Sequence, residues 1–230
     1  MAMSDTRRAW LRSAEVALAA LVLAVGGIGL ALFPVTTPVY VRALVTAVHS
    51  SELTGLSVPD TLAAAESVRL FVVDPDAPAL ASTINGQAAF DEAAVSHLID
   101  VRDVLVPARW LSAGLLVIAA VWLVVLRRTS EGRASIRGAC RIAGWMLLVT
   151  IAAAAAAALV DFNAFFAVFH SLFFEAGTWM FPADSLLVRV FPLPFWMMAG
   201  ATWAGLIFAE GLILAVIGHR TPHATRADSV

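Results

Sequence analysis

Four apolar runs, each near the roughly 20 residues a helix needs to cross a bilayer core, leave this chain little choice of architecture. They lie at about 14–33 ("AEVALAALVLAVGGIGLALF"), 110–126, 142–160 and 195–217. Hydrocarbon offers no partner to a free peptide group, so each run has to be helical. The expected fold class is an all-α polytopic membrane protein with four transmembrane helices. A mostly helical extracytoplasmic domain is expected between helices one and two, and an aromatic interfacial helix between helices three and four. The first run is too long for a signal peptide and has no clean A-x-A-like site after it, so it reads as an anchor.

Composition agrees. The chain is 60% hydrophobic and 14% charged, where soluble domains carry about 25% charged residues. The net charge of −2 gives no bulk attraction to nucleic acid, and no nucleic-acid partner is expected.

Orientation follows from arginine, since the chain has no lysine. Arg7, Arg8 and Arg12 precede the first run, and Arg127, Arg128, Arg133, Arg137 and Arg141 fill the link between the second and third. Arg220 and Arg226 follow the fourth. With four spans these segments share one side, which the positive-inside rule makes cytoplasmic. The other two segments hold Asp or Glu at twelve positions against five arginines. The expected division is 1–33, N-terminus and first span; 34–109, extracytoplasmic domain; and 110–160, second span, link and third span. Residues 161–194 form an extracytoplasmic interfacial segment, and 195–230 the fourth span and tail. Cys140, the only cysteine, falls in the link, away from any chemistry outside.

Within the first external segment, "SVPDTLAAAESVRLFV" reads as a helix capped by Ser57 with Pro59 in its first turn. "VVDPDAP" and "INGQ" read as turns. From Phe90 a helical pattern runs through "FDEAAVSHLIDVRDVLV" into the second span. The alanine run of the third span reads as a close-packing surface.

The second external segment holds "FFAVFHSLFF", one histidine among five phenylalanines. Phe162, Phe165, Phe166, Phe169 and Phe173 recur at helical spacing, with His170 on the flank of that face. Gly177 ends the pattern, and Trp179 and Phe181 suit an interfacial belt. In the first segment His97 and Asp100 stand at i and i+3 on one helix face, at a similar depth. Two histidines and an aspartate at one lipid–water boundary suggest function, because desolvating an ionisable group is costly without a partner. Packing or anchoring of each histidine is the competing reading. His49, expected on another external helix, and His219 and His223, in the cytoplasmic tail, read as structural. Three ligands could hold a metal, but H-E-x-x-H is absent. Ser96 and Ser171 lack a nucleophile elbow. Glu210, inside the fourth span, reads as a bundle partner or a proton-relay acid.

"HLIDVRDVL", followed about 70 residues later by "FFAVFHSLFFEAGTWMFPADSLLVRVFP", resembles a family of small bacterial integral membrane proteins, the lipoprotein intramolecular transacylases. The likeness rests on H-x-x-D-V-[KR], then F-H-x-x-F-F, G-x-W, Phe-Pro, an acid and a final F-P. Leu193-Pro194 departs from it. The four-helix topology with a long first external loop agrees. The resemblance implies a cell-envelope enzyme in the bacterial cytoplasmic membrane. Such an enzyme moves the sn-2 acyl chain of a diacylglyceryl-cysteine lipoprotein N-terminus to the cysteine α-amino group. On that reading His170 is the general base and His97 its partner, with the two roles open to exchange, and Asp100 orients His97. Phe166, Phe169, Phe173, Phe174 and Trp179 would bind the substrate, and the second imidazole, Trp179 or backbone amides would donate to the oxyanion. The lipoprotein and the lipid bilayer are the implied partners, with no cofactor. A scaffold protein and a metal-dependent lipid hydrolase are the alternatives, with a transporter behind them because only Glu210 supports it.

Overall fold

The computed structural model describes residues 5–84 and 86–219. Short polar side chains start most of its helices. α1 (Asp5–Leu30) is followed by a single turn, α2 (Leu32–Val35), and by α3 (Pro38–Ala47), where the Thr37 hydroxyl accepts from Tyr40 N. A short α4 (Ser50–Thr54) leads to α5 (Val58–Val73), where Ser57 accepts from Asp60 N as expected of a cap. A small hairpin pairs β1 (Thr83–Ile84) with β2 (Gln87–Ala88), and Gly86 turns the chain at φ +78°. Asn85 of the expected "INGQ" turn lies outside the described residues. α6 (Glu92–Leu126) is capped by Asp91 and runs unbroken through Pro107. α7 (Ser130–Val160) is capped by Thr129 and α8 (Phe162–Ser171) by Asp161. α9 (Leu186–Val190) and α10 (Leu193–His219) close the order.

Among the described residues four helical stretches are long and apolar enough to cross a membrane: Thr6–Val35, Glu92–Leu126, Ser130–Val160 and Leu193–His219. In the bundle, α7 packs along α10, and α1 lies against both α6 and α7. Its core joins Leu23 and Ala24 of α1, Ala119 of α6, Cys140 and Leu147 of α7 and Ile207 of α10. A second core gathers Val45 of α3, Phe71 of α5, Val190 of α9 and Phe191 around Ala94 and Leu98 of α6. α6 is therefore shared by both cores, and it joins the second to the bundle.

Three sequence expectations change. The link between the second and third spans is only residues 127–129. Arg133, Arg137, Cys140 and Arg141 already sit on α7, and Cys140 is buried in the bundle. A Cβ at Gly132 would lie 2.1 Å from the Leu126 carbonyl oxygen, so only glycine fits this tight return. The alanine run is not the packing surface: Ala152, Ala153, Ala155, Ala156 and Ala157 are exposed. Close approach occurs lower on α7, where a Cβ at Gly144 would meet Ala215 N at 2.5 Å and Gly211 O at 2.8 Å. His49, expected on a helix, links α3 to α4 in the left-handed region at φ 56°, with its Nδ1 3.5 Å from Glu52.

Gly144→Leu is expected to push α7 off α10 and destabilise the bundle by about 1–3 kcal/mol, the usual cost of overpacking. The check is the thermal unfolding midpoint in detergent, which should fall. Gly205→Leu, where a Cβ meets open space, should leave it unchanged.

Candidate active site

His97 is placed by the face of α6 that it shares. Ala94, His97 and Leu98 stand at i, i+3 and i+4, so packing Ala94 and Leu98 into the second core turns the imidazole inward with them. His97 is 8% exposed. On α8, Phe162, Phe166 and His170 repeat every four residues and stack as a stripe. The ring centroids of Phe162 and Phe166 are 6.0 Å apart, and those of Phe166 and His170 are 4.0 Å apart. The helix then ends, and Gly177, at φ +93°, turns the chain back. That reversal brings Trp179 to 4.7 Å from His170 and Phe181 to 5.5 Å from His97, centroid to centroid.

The two imidazoles face one another at 6.4 Å with planes 29° apart. Phe174 closes against both, at 5.0 Å from His97 and 5.7 Å from His170. The convergence expected from depth is thus present in the fold. So is part of the aromatic surface: Phe166, Phe174 and Trp179 surround the pair. Phe169 and Phe173 instead turn outward, 37% and 48% exposed, and pack on each other at 5.4 Å. Phe181 and Trp196, which lies 6.3 Å from Phe166, belong to the same aromatic wall. The sequence offered Phe181 only as an interfacial belt residue and gave no sign of Trp196, because they reach the wall from a loop and a following helix, outside any helical repeat.

His170 Nδ1 lies 2.8 Å from the Phe166 carbonyl oxygen. A carbonyl only accepts, so Nδ1 carries the hydrogen, and in the neutral ring the Nε2 lone pair is left to take a proton. Burial among the rings pushes His170 below the ordinary imidazole value of 6.5, and the Phe166 carbonyl, which favours the protonated ring, partly offsets this. Two buried polar atoms beside it lack a hydrogen-bond partner, His97 Nδ1 and Trp179 Nε1. An orphaned buried donor costs about 1–3 kcal/mol, a cost removed when a ligand oxygen fills the gap. Asp100 shares the face of His97 but makes no hydrogen bond to its Nδ1, and its charge reaches the ring through space only.

Among the described residues no serine or cysteine nucleophile is set up here. Ser96 is exposed beside His97, the Ser171 hydroxyl donates to the Val168 carbonyl, and Cys140 is in the bundle. Glu210 lies within its span with its carboxylate against α1, where a Cβ at Gly27 would be 2.0 Å away. His219 ends α10, and His223 lies outside the described residues. Among the described residues no three His, Cys, Asp or Glu side chains come together as a metal site. The geometry suits proton transfer between groups that both belong to a bound molecule, with an aromatic surface for its apolar part.

Residues 16–196 match the family described as lipoprotein intramolecular transacylase Lit. Among solved structures, the chain is similar to the membrane integral lipoprotein intramolecular transacylase Lit from Bacillus cereus. Identity is 15% and the TM-score 0.78, over 91% of this chain and 94% of that one. A variant of that protein with one histidine changed to alanine gives 13% identity and a TM-score of 0.69, over 93% and 94%. A second variant, with the histidine changed to arginine, gives 15% and 0.63, over 94% and 95%. At such identities the likeness is one of fold. No curated protein matches the chain.

Proposed function

The chain belongs to the lipoprotein intramolecular transacylase family, a family of membrane acyltransferases, and from that premise we propose that it moves the sn-2 acyl chain of a diacylglyceryl-cysteine lipoprotein to the cysteine α-amino group. The observation that carries this reading is a free imidazole nitrogen, His170 Nε2, in an aromatic site that holds no nucleophile of the protein. The substrate supplies both reacting groups, amine and ester, and holding them in one molecule removes much of the entropic barrier.

The steps follow from the groups present. The substrate's ammonium loses a first proton to solvent, and the amine attacks the sn-2 ester carbon. A C–N bond forms and the carbonyl π electrons move to oxygen. Trp179 Nε1–H donates to that oxyanion. His170 Nε2 takes the proton that the nitrogen sheds on attack. As the C–O bond to glycerol breaks, the proton passes to the departing sn-2 oxygen, leaving an N-acyl, lyso-glyceryl product. His97 shares the proton or polarises the carbonyl. Phe166 and Phe174, with the outward faces of Phe169 and Phe173, carry the acyl chains. The arginine distribution puts both termini inside and the histidine pair at the outer interface of the cytoplasmic membrane.

The test is mass spectrometry of a reporter lipoprotein's N-terminal peptide from a host without N-acylation of its own. Expression of this chain should yield N-acyl, lyso-glyceryl cysteine. Diacylglyceryl cysteine with a free amine, despite confirmed expression, would point to a scaffold instead.

The pH dependence carries a sign. A substrate ammonium titrates near about 8, so log kcat/KM should fall with slope one as the pH drops below that. A second proton, on His170, should steepen the slope to two only below 6.5, because burial keeps the ring neutral. Rates measured across this range would contradict the assignment if the steepening began above 6.5.

A further inference from the structure

Four arginines converge away from the histidine pair, where the end of α2 meets α3, α5 and α6. Arg69 forks onto Glu66 at 2.8 and 2.6 Å and reaches the Thr36 carbonyl oxygen at 3.3 Å. Arg42, exposed on α3, acts on the same Glu66 carboxylate. Arg109 stands over the Phe33 ring, 4.7 Å from its centroid. Among the described residues Arg109 makes no hydrogen bond or ion pair. Arg102, one stripe of α6 above it, stands 4.8 Å over Phe71 and has Asp103 at 4.0 Å. Arg69 and Arg109 thus meet at the two ends of α2, one on the Thr36 carbonyl and one on the Phe33 ring; Glu66 is taken up by Arg69 and Arg109 has no carboxylate, so positive charge is left over.

Depth says what that charge meets. Counting along α6 from Leu126 at 1.5 Å per residue, Arg109 is about 26 Å up the rod and Arg102 about 36 Å. The hydrocarbon core ends at about 30 Å, so the two guanidinium groups bracket the glycerol and phosphate layer of the leaflet nearer His97. Guanidinium is planar and matches phosphate with two parallel hydrogen bonds. Resting on Phe33 and Phe71, these groups keep apolar faces beside lipid tails and leave their N–H edges free.

We propose that Arg109, with Arg69 and Arg42, binds the phosphate of an anionic phospholipid at this notch, next to but separate from the histidine pair. A zwitterionic headgroup fits less well, because it brings a further cation to an already positive place. The diacylglyceryl cysteine of a lipoprotein has no phosphate and does not compete for it. The inference rests on the membrane reading of α6 and not on the acyl-transfer chemistry.

Native mass spectrometry of the purified full chain in detergent tests it, with phosphatidylglycerol, phosphatidylcholine, diacylglycerol and inorganic phosphate as separate probes. The wild type is expected to retain one phosphatidylglycerol, and Arg109→Gln to lose at least tenfold in affinity. Arg128→Gln, at the opposite end of the rod, should bind as the wild type does. Phosphatidylcholine should bind more weakly and diacylglycerol not at all, and millimolar inorganic phosphate should not displace the lipid. Equal retention by Arg109→Gln, or of diacylglycerol, would overturn the site. Displacement by inorganic phosphate would overturn the lipid assignment. Thermal unfolding of Arg109→Gln separates lost binding from lost fold. No reporter lipoprotein is present, so failure here leaves the transacylase reading untouched, and failure of that reading leaves this one standing.

Discussion

Transacylation by the His170→Gln variant is expected to fall by about 10²–10⁴-fold, the range over which positioned acid–base groups act. Glutamine can still donate to the Phe166 carbonyl that now holds Nδ1, so the side chain stays anchored among the rings. It cannot take a proton at neutral pH. The unfolding midpoint should therefore stay near that of the wild type while reporter acylation collapses. His170→Ala should lose the same activity, and it should also lose stability, because it empties the space between Phe166 and Trp179, whose rings lie 4.0 and 4.7 Å from the imidazole. The reading is measured by the N-acyl to free-amine ratio of the reporter peptide over time. A glutamine variant within tenfold of the wild type would remove His170 as the base and shift that role to His97.

Trp179→Phe should show a different pair of signs. The indole N–H is buried without an acceptor, a cost to the resting fold of about 1–3 kcal/mol that phenylalanine does not carry. Stability should hold or rise. If that N–H meets the oxyanion, its loss costs about 10²–10³ in kcat, with little change in KM because the ring that touches the acyl chain is kept. A purely structural role predicts the reverse: a lowered midpoint and an unchanged kcat. Single-turnover acylation beside a thermal scan separates the two.

Much of this was legible in the sequence, for reasons of length and depth. Apolar runs of about 20 residues have one solution in lipid, and the four spans lie where expected, although the helices that carry the second and third begin far earlier, at Glu92 and Ser130, because polar turns outside lipid continue them. Ser57 capped the helix it was expected to cap, because Pro59 and Asp60 fix that start locally. His97 and His170 met because two short tethers to neighbouring spans hold them at one height. What stayed hidden depends on tertiary reach. An i, i+3 spacing puts Asp100 on the face of His97 but does not bring its short carboxylate to Nδ1. α3, α4 and α9 are short helices completed by partners distant in sequence: Ser50 Oγ donates to the Val190 carbonyl at 2.9 Å, across 140 residues. The alanine run misled because small side chains permit close approach without requiring it, and α10 settled lower, against Gly144.

α6 has one further consequence. The rod is continuous from the arginines at 127 and 128 to the reacting ring, so the height of His97 above the far membrane surface is a fixed length of about 43 Å. The substrate's ester, by contrast, rides on the near surface and moves with bilayer thickness. On the proposed reading the ester layer, which the same count puts below the imidazole, rises toward it in a thicker membrane and falls further away in a thinner one, unless the rod tilts at some cost per ångström of mismatch. The proposed reaction would then be set from one surface and read at the other.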